Sequence, residues 1–253
     1  MKLADKVAVI TGAGSGIGRA TALLFAGEGA KIVVADLDSE EGSSTVDLIK
    51  DAGGAANLIR TDVSIESDVQ KMVESTVDTY AKLDILVNVA GIFIEGDTIE
   101  TTEADWNRVL GVNLNGVFLC MKYCIPEMIK GGGGAVVNIA SEAGLVGIAN
   151  QVAYNVSKSG VIALTRSAAI DFADKNIRVN CLCPGRVLTP LVDKVITSSK
   201  DPETTRRLLS EDRPLKRMGK PEEIAAGILF LASEEVKYAI GTILSIDGGY
   251  TAQ

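Results

Sequence analysis

The sequence predicts an α/β domain, doubly wound, with a seven-stranded parallel sheet and helices on both faces. Three observations predict it. Short apolar runs rich in Val and Ile alternate with longer stretches of helical period. The runs are nearly continuous rather than alternating, as in strands covered on both faces. Strand and helix take turns along the chain, which implies parallel strands joined by right-handed crossovers.

The elements follow in order. "KVAVITG" is the first strand and "GIGRATALLFAGEG" the first helix. "KIVVAD" is the second strand, followed by a polar helix from about Glu40 to Ala52. "ANLIRTDV" is the third strand, with a helix over Glu66 to Ala81. "LDILVNVAG" is the fourth, with one long helix from Glu103 to Met128. "GAVVNIAS" is the fifth, with a helix around Tyr154 to Phe172. "NIRVNCLCPG" is the sixth strand; Pro221 starts a late helix, and "TILSIDGG" is the seventh strand. No linker, repeat or low-complexity segment interrupts residues 1–253, so one domain is expected. The stretch Arg186 to Arg217 reads as an irregular, charged segment after the sixth strand, a lid or substrate loop.

Composition narrows the function. Hydrophobic residues make up 47%, enough for a large core, and 25 basic against 33 acidic residues leave a net charge of −8. That balance argues against nucleic acid as a partner. No run of about 18 apolar residues is apparent, and the N-terminal segment enters a strand pattern directly, so neither a membrane span nor a signal peptide is expected. Cys120, Cys124, Cys181 and Cys183 sit among apolar residues and read as buried thiols of a cytoplasmic protein. Histidine is absent, which excludes Ser-His-Asp and Cys-His catalysis and any His-ligated zinc; no metal is expected.

Two clusters carry chemistry. "TGAGSGIG" lies between the first strand and first helix, and Gly12, Gly16 and Gly18 provide the turn and the close approach that a pyrophosphate needs. Ser15 and Ile17 lie within it, at a helix N-terminus able to receive the anion. Asp36 ends the second strand, where a carboxylate accepts hydrogen bonds from an adenosine ribose and repels a 2′-phosphate. NAD is therefore favoured over NADP, although Arg19 lies nearby. Asp62 ends the third strand and could meet the adenine edge or serve a helix N-terminus. In "AYNVSKSG", Tyr154 and Lys158 fall on one helix face at i and i+4. The pair is either an amphipathic-helix pattern or a phenol made acidic by a neighbouring ammonium.

Thr11-Gly12-x-x-x-Gly16-Ile17-Gly18, Asn88-Val89-Ala90-Gly91, Asn113, Ser141, Tyr154-x-x-x-Lys158, and Pro184-Gly185 with Thr189 together resemble the classical short-chain dehydrogenase/reductase family over nearly the whole chain. The family commonly has a second Asn where this chain has Val89, a departure that touches a secondary cofactor or scaffold contact. The resemblance implies a Rossmann-type fold and catalysis by Asn113, Ser141, Tyr154 and Lys158. Tyr154 would exchange the proton, Ser141 would hold the substrate oxygen, and Lys158 would lower the phenol pKa and bond the nicotinamide ribose. Asn113 would hold a water leading protons from Lys158, and Thr189 would bond the nicotinamide carboxamide, or simply cap a helix. Leu37, Val63, Asn88, Ala90, Gly91, Pro184, Gly185 and Val187 complete the expected cofactor contacts.

The implied reaction interconverts a secondary alcohol, or a sugar or polyol hydroxyl, and its ketone by hydride transfer with NAD. Phe93, Glu142, Val146, Gln151 and Val187 are candidate lining positions: Glu142 and Gln151 would bond polyol hydroxyls or form a solvated rim, and Phe93, Ile94 and Val146 suit a less polar alcohol. The alternatives are a 3-oxoacyl-carrier-protein reductase, with Arg206, Arg207 and Arg213 meeting an acidic carrier, and an NAD-binding sensor or scaffold without turnover. A homotetramer is implied by the family and by apolar residues on several faces of the helices around Leu114 to Met128 and Val156 to Ala169.

Overall fold

The computed structural model describes residues 1–253. Seven strands form one sheet: β1 (Val7–Thr11), β2 (Lys31–Asp36), β3 (Ala55–Arg60), β4 (Ile85–Asn88), β5 (Gly134–Ile139), β6 (Ile177–Pro184) and β7 (Ile243–Ile246). Their order is β3-β2-β1-β4-β5-β6-β7 and every pairing is parallel. The expected Rossmann-type architecture is therefore present. The order reverses between β1 and β4, which opens a crevice beyond their carboxyl ends.

Alternate residues of each strand feed two separate cores. Ile10, Ile32 and Val34 pack with Phe25 of α1 (Gly16–Gly27), Ile49 of α2 (Ser39–Asp51) and Ile228 of α9 (Pro221–Ala232). Val9, Val33 and Leu86 pack with Met72 of α3 (Glu66–Tyr80), Met128 of α5 (Gly116–Lys130) and Val161 of α6 (Val152–Phe172). Burial of both sheet faces explains the continuous apolar runs. The four cysteines are free and buried, as their surroundings in the sequence suggest.

Two expectations are corrected. The single helix from Glu103 to Met128 is a composite: α4 (Glu103–Leu110), a π-helical turn Gly111–Asn115, and α5. End to end, Glu103–Lys130 is long and apolar enough to cross a membrane, by length and composition alone, although it holds no unbroken run of 18 apolar residues. Its apolarity has a local use, because Val117, Cys120, Met121, Cys124 and Met128 are buried in the second core. Finally, the segment Arg186 to Arg217 is not irregular: it holds α7 (Pro190–Ser198) and α8 (Pro202–Glu211). Each begins with Pro after a capping residue: Thr189 Oγ1 accepts from Val192 N and Asp201 Oδ1 from Thr204 N.

Candidate active site

The loops that leave the carboxyl ends of β1, β2, β4, β5 and β6 converge on one crevice. Its outer part is a groove of about 710 Å³. Gly12, Ser15, Gly16, Ile17, Gly18, Asp36, Leu37, Asp62, Val63, Ala90, Gly91 and Thr189, all among the residues assigned to a cofactor from the sequence, line it.

The floor of the groove is cut to fit a dinucleotide. Gly12 and Gly16 have φ of +65° and +52°, in the left-handed region. A Cβ on Gly12 would lie 2.9 Å from Ala90 N, and one on Gly18 only 2.0 Å from the Gly12 carbonyl oxygen. Thr11 Oγ1 accepts from Val89 N and Ala90 N at 3.1 and 3.2 Å, fixing the two loops together. Ser15 occupies the N-cap of α1 but makes no side-chain cap bond, and the first turn carries no acidic residue. The helix thus presents open N–H groups and its positive end to an anion.

Asp36 Oδ2 accepts from Gly14 N at 2.7 Å and Oδ1 from Asp38 N at 3.0 Å. Each oxygen keeps a lone pair for a ribose hydroxyl. Gly14, which the sequence reading passed over, is explained by the same contact: its Cβ would lie 2.8 Å from Asp36 Oδ2. Arg19 is engaged elsewhere, with its guanidinium on Glu41 Oε2 at 2.6 Å and Thr45 Oγ1 at 2.9 Å. Asp62 lines the groove and also braces its own loop, accepting from Ser64 N and Oγ.

Asn88 ends β4, as the pattern expects, but its side chain is turned to the neighbouring strand. It is buried, does not line the groove, and donates from Nδ2 to Asn138 Oδ1 at 2.8 Å, tying β4 to β5. Asn107, Arg108 and Val112 line the groove instead, brought across it by α4 and the π turn. Only tertiary packing places them there, so no local signal marks them.

The inner end of the crevice, about 120 Å³, is walled by Lys158, Ser141, Tyr154, Pro184, Gly185, Val187 and Thr189. Thr189 caps α7, and its Cγ2 would lie 3.1 Å from a Cβ on Gly16, at the junction of the inner and outer parts of the crevice. Ser141 Oγ accepts from Ala143 N at 3.2 Å, which orients it at the end of β5. Tyr154 meets Phe93 edge to face at 5.5 Å. Lys158 Nζ donates to the Ile139 carbonyl at 2.9 Å and lies 5.6 Å from the centre of the Tyr154 ring.

Asn113 is fully buried, but its carboxamide is spent on protein. Oδ1 accepts from Ile92 N at 2.8 Å, and Nδ2 donates to Ile92 O at 2.9 Å and Ser157 Oγ at 3.2 Å. It splints the π turn to the loop after β4 and to α6.

Burial governs the ionisation of the inner groups. It pushes the Tyr154 phenol up to about 12, against weaker opposing pulls from the Ser141 hydroxyl and the Arg186 charge. Burial also drives the Lys158 ammonium down to about 8. The protein without a dinucleotide therefore keeps Tyr154 as a proton donor. The expected acidification of the phenol is not a property of the chain alone.

A third cavity, about 100 Å³, opens from the same two hydroxyls. Ser141, Tyr154, Glu142 and Gln151 line it, with Phe93, Ile148, Leu191, Val195 and Leu209 as its apolar wall. α7 and α8 supply the last three, so this segment forms part of the cavity wall. Val146 and Ile94 do not line it; Val146 is exposed. Glu142 is buried and paired with Arg213, Oε2 to Nη1 at 3.3 Å, and Arg213 is itself only 1% exposed. Its burial excludes the solvated rim, and the pairing leaves Glu142 in the cavity wall with its charge shared with Arg213. Arg213 is likewise withdrawn from any carrier-protein surface.

The comparisons agree with this geometry. The family model described as enoyl-(acyl carrier protein) reductase matches residues 12–251. The chain is 41% identical to cyclohexanol dehydrogenase of Acinetobacter sp. (strain SE19), covering 100% of this chain and 97% of that one. It is also 41% identical to the 3-oxoacyl-[acyl-carrier-protein] reductase FabG of Thermotoga maritima, covering 98% and 99% of the two chains. The crystal structure of levodione reductase superposes with a TM-score of 0.96 at 36% identity, with 99% of each chain covered. The family model, the full-length relatives and the superposed fold agree, and the chain belongs to the short-chain dehydrogenase/reductase family of oxidoreductases.

Proposed function

We propose that the chain is an NAD(H)-dependent dehydrogenase/reductase that interconverts a compact, largely apolar secondary alcohol and its ketone, with Tyr154 as acid and base. One observation carries the reading: Ser141 and Tyr154 wall both the inner end of the dinucleotide groove and the 100 Å³ cavity beside it. A carbinol carbon in that cavity faces the cofactor end while its oxygen meets two hydroxyls. A bound dinucleotide supplies the hydride acceptor and, when oxidised, a second positive charge. Ser141 donates to the substrate oxygen as charge builds there. In reduction Tyr154 gives its proton to that oxygen; in oxidation it takes the proton back. Lys158 holds its ammonium below the phenol ring and favours the anionic form. Relatives named for cyclohexanol and levodione support a cyclic substrate.

Asp36 supports NAD over NADP, since a 2′-phosphate would meet its carboxylate while Arg19 is held by Glu41 and Thr45. Asp36→Ala is expected to lower the NAD-to-NADP ratio of kcat/KM by roughly tenfold or more. The check is NADH and NADPH absorbance with a panel of cyclic ketones and alcohols. An unchanged ratio would remove Asp36 from cofactor choice. A panel with no turnover at all would favour the NAD-binding sensor.

The relative named as a carrier-protein reductase supports a second reading, reduction of a 3-oxoacyl group. Of the three arginines considered for it, Arg206 is paired with Asp193 and Arg213 is buried. A cytoplasmic homotetramer belongs to the same proposal. Phe118 of α5 and Val156 of α6 are 46% and 42% exposed, as apolar residues awaiting a partner subunit would be. Sedimentation equilibrium should give four chains; a monomer would contradict it.

A further inference from the structure

Arg186 stands in the wall of the substrate cavity with most of its hydrogen-bonding capacity unused. It follows Pro184-Gly185 and lines the same 100 Å³ space as Ser141 and Tyr154. Its main chain is pinned on both sides: Gly219 N donates to Arg186 O, and Leu188 N donates to Gly219 O, each at 2.9 Å. The side chain is half-buried, and within the chain its single hydrogen bond runs from Nε to Asp212 Oδ2 at 3.3 Å. A guanidinium carries five N–H donors in a planar fork. The two terminal nitrogens, the edge suited to bidentate contact, take no partner from the protein.

The acid in the cavity wall is withdrawn. Glu142 lines the cavity, but Arg213 holds it at 3.3 and 3.5 Å in a buried pair. Asp212 is shared, since its other oxygen meets Arg213 at 2.9 Å. The rest of the wall is hydrocarbon and aromatic apart from the Ser141 and Tyr154 hydroxyls and the Gln151 carboxamide, and none of these is an anion. A half-buried cation facing such a cavity gains most from an anion that enters with the ligand.

Building on the assignment of Ser141 and Tyr154 as the oxygen-binding end, we infer that Arg186 is a specificity-determining residue that receives a carboxylate on the substrate. The preferred substrate is then a compact hydroxy acid or oxo acid, with hydrocarbon between its carboxylate and the reacting carbon. The planar two-oxygen acceptor matches the guanidinium fork, as a lone hydroxyl does not.

Binding, not turnover, tests this. Cyclohexanecarboxylate and its neutral isostere cyclohexanecarboxamide would be titrated calorimetrically into the NAD-saturated protein. Wild type should prefer the carboxylate by roughly 10- to 100-fold, the range for a hydrogen bond to a charged group. Arg186→Met should bring that ratio close to one, and Arg186→Lys should retain part of it, because charge remains while the fork is lost. Melting curves identify any variant that fails to fold, and the wild-type ratio stands without them. Equal wild-type affinities for the two ligands would overturn the inference, as would an undiminished preference in folded Arg186→Met. A protein that shows the preference yet oxidises no alcohol would sink the catalytic reading and leave this one standing. Turnover of 4-oxocyclohexanecarboxylate against its carboxamide gives a second readout: the arginine should act mainly on KM, as uniform binding does.

Discussion

Tyr154→Phe is expected to lower both alcohol oxidation and ketone reduction by roughly 10²- to 10⁴-fold, the usual contribution of a positioned acid or base. Dinucleotide affinity should be nearly unchanged. The argument is geometric. Phe keeps the ring that packs edge to face on Phe93 and keeps the cavity wall, and removes only the oxygen that faces both the cavity and the inner groove. Steady-state kinetics with NADH, beside a fluorescence titration of NADH binding, would check it. Near-normal turnover would mean that another group moves the proton.

The variant also has a stability signature. The folded phenol is pushed up to about 12, above the ordinary value near 10. Between those values the folded chain keeps a proton that the unfolded chain has released. The fold therefore loses stability as pH rises through that window, and Tyr154→Phe should remove the loss.

The second large effect is expected from Lys158→Met, which should move the pH–rate curve for alcohol oxidation to higher pH by about 1–2 pH units and weaken dinucleotide binding. A unit charge about 5.6 Å from the ring is worth about 3 kcal/mol at an effective dielectric of 20, or some two powers of ten in phenolate population. Oxidation needs the phenolate, so its rate rises with pH up to the pKa of the complex. Reduction needs the phenol and falls above the same point. Both limbs should move together. An unmoved profile would reject the electrostatic role. Lys158 is driven down to about 8 by burial, so over about pH 8 to 10.5 the unfolded chain binds the extra proton. Wild type should accordingly gain stability as pH rises through that range, and Lys158→Met should not.

Much of this site is legible in the sequence because it is local. The glycine cradle spans seven positions, Tyr154 and Lys158 share one helix turn, and Ser141 ends a recognisable strand. What escaped is non-local or depends on side-chain pairing. Arg213 looks like lid surface until its partner Glu142, 71 positions away, closes on it. Asn88 keeps the position that the pattern expects, but Asn138 on the adjacent strand claims its amide. The helices α7 and α8 did leave a trace, since Thr189-Pro190 and Asp201-Pro202 each pair an N-cap residue with a first-turn proline. Their charged, short sequences hide the period that would have revealed them. The π turn at Gly111–Asn115 has no such trace; it interrupts a helical pattern without a breaker other than Gly111.

The central claim is that the phenol of Tyr154 becomes acidic only when a second cation joins Lys158. Ultraviolet difference titration of tyrosinate, wild type minus Tyr154→Phe, measures it directly. Without dinucleotide the difference signal should appear only at strongly alkaline pH, toward the value of about 12 set by burial. With saturating NAD it should move to about pH 7–8, where an acid–base catalyst works. A signal that stays alkaline in both conditions would contradict the account.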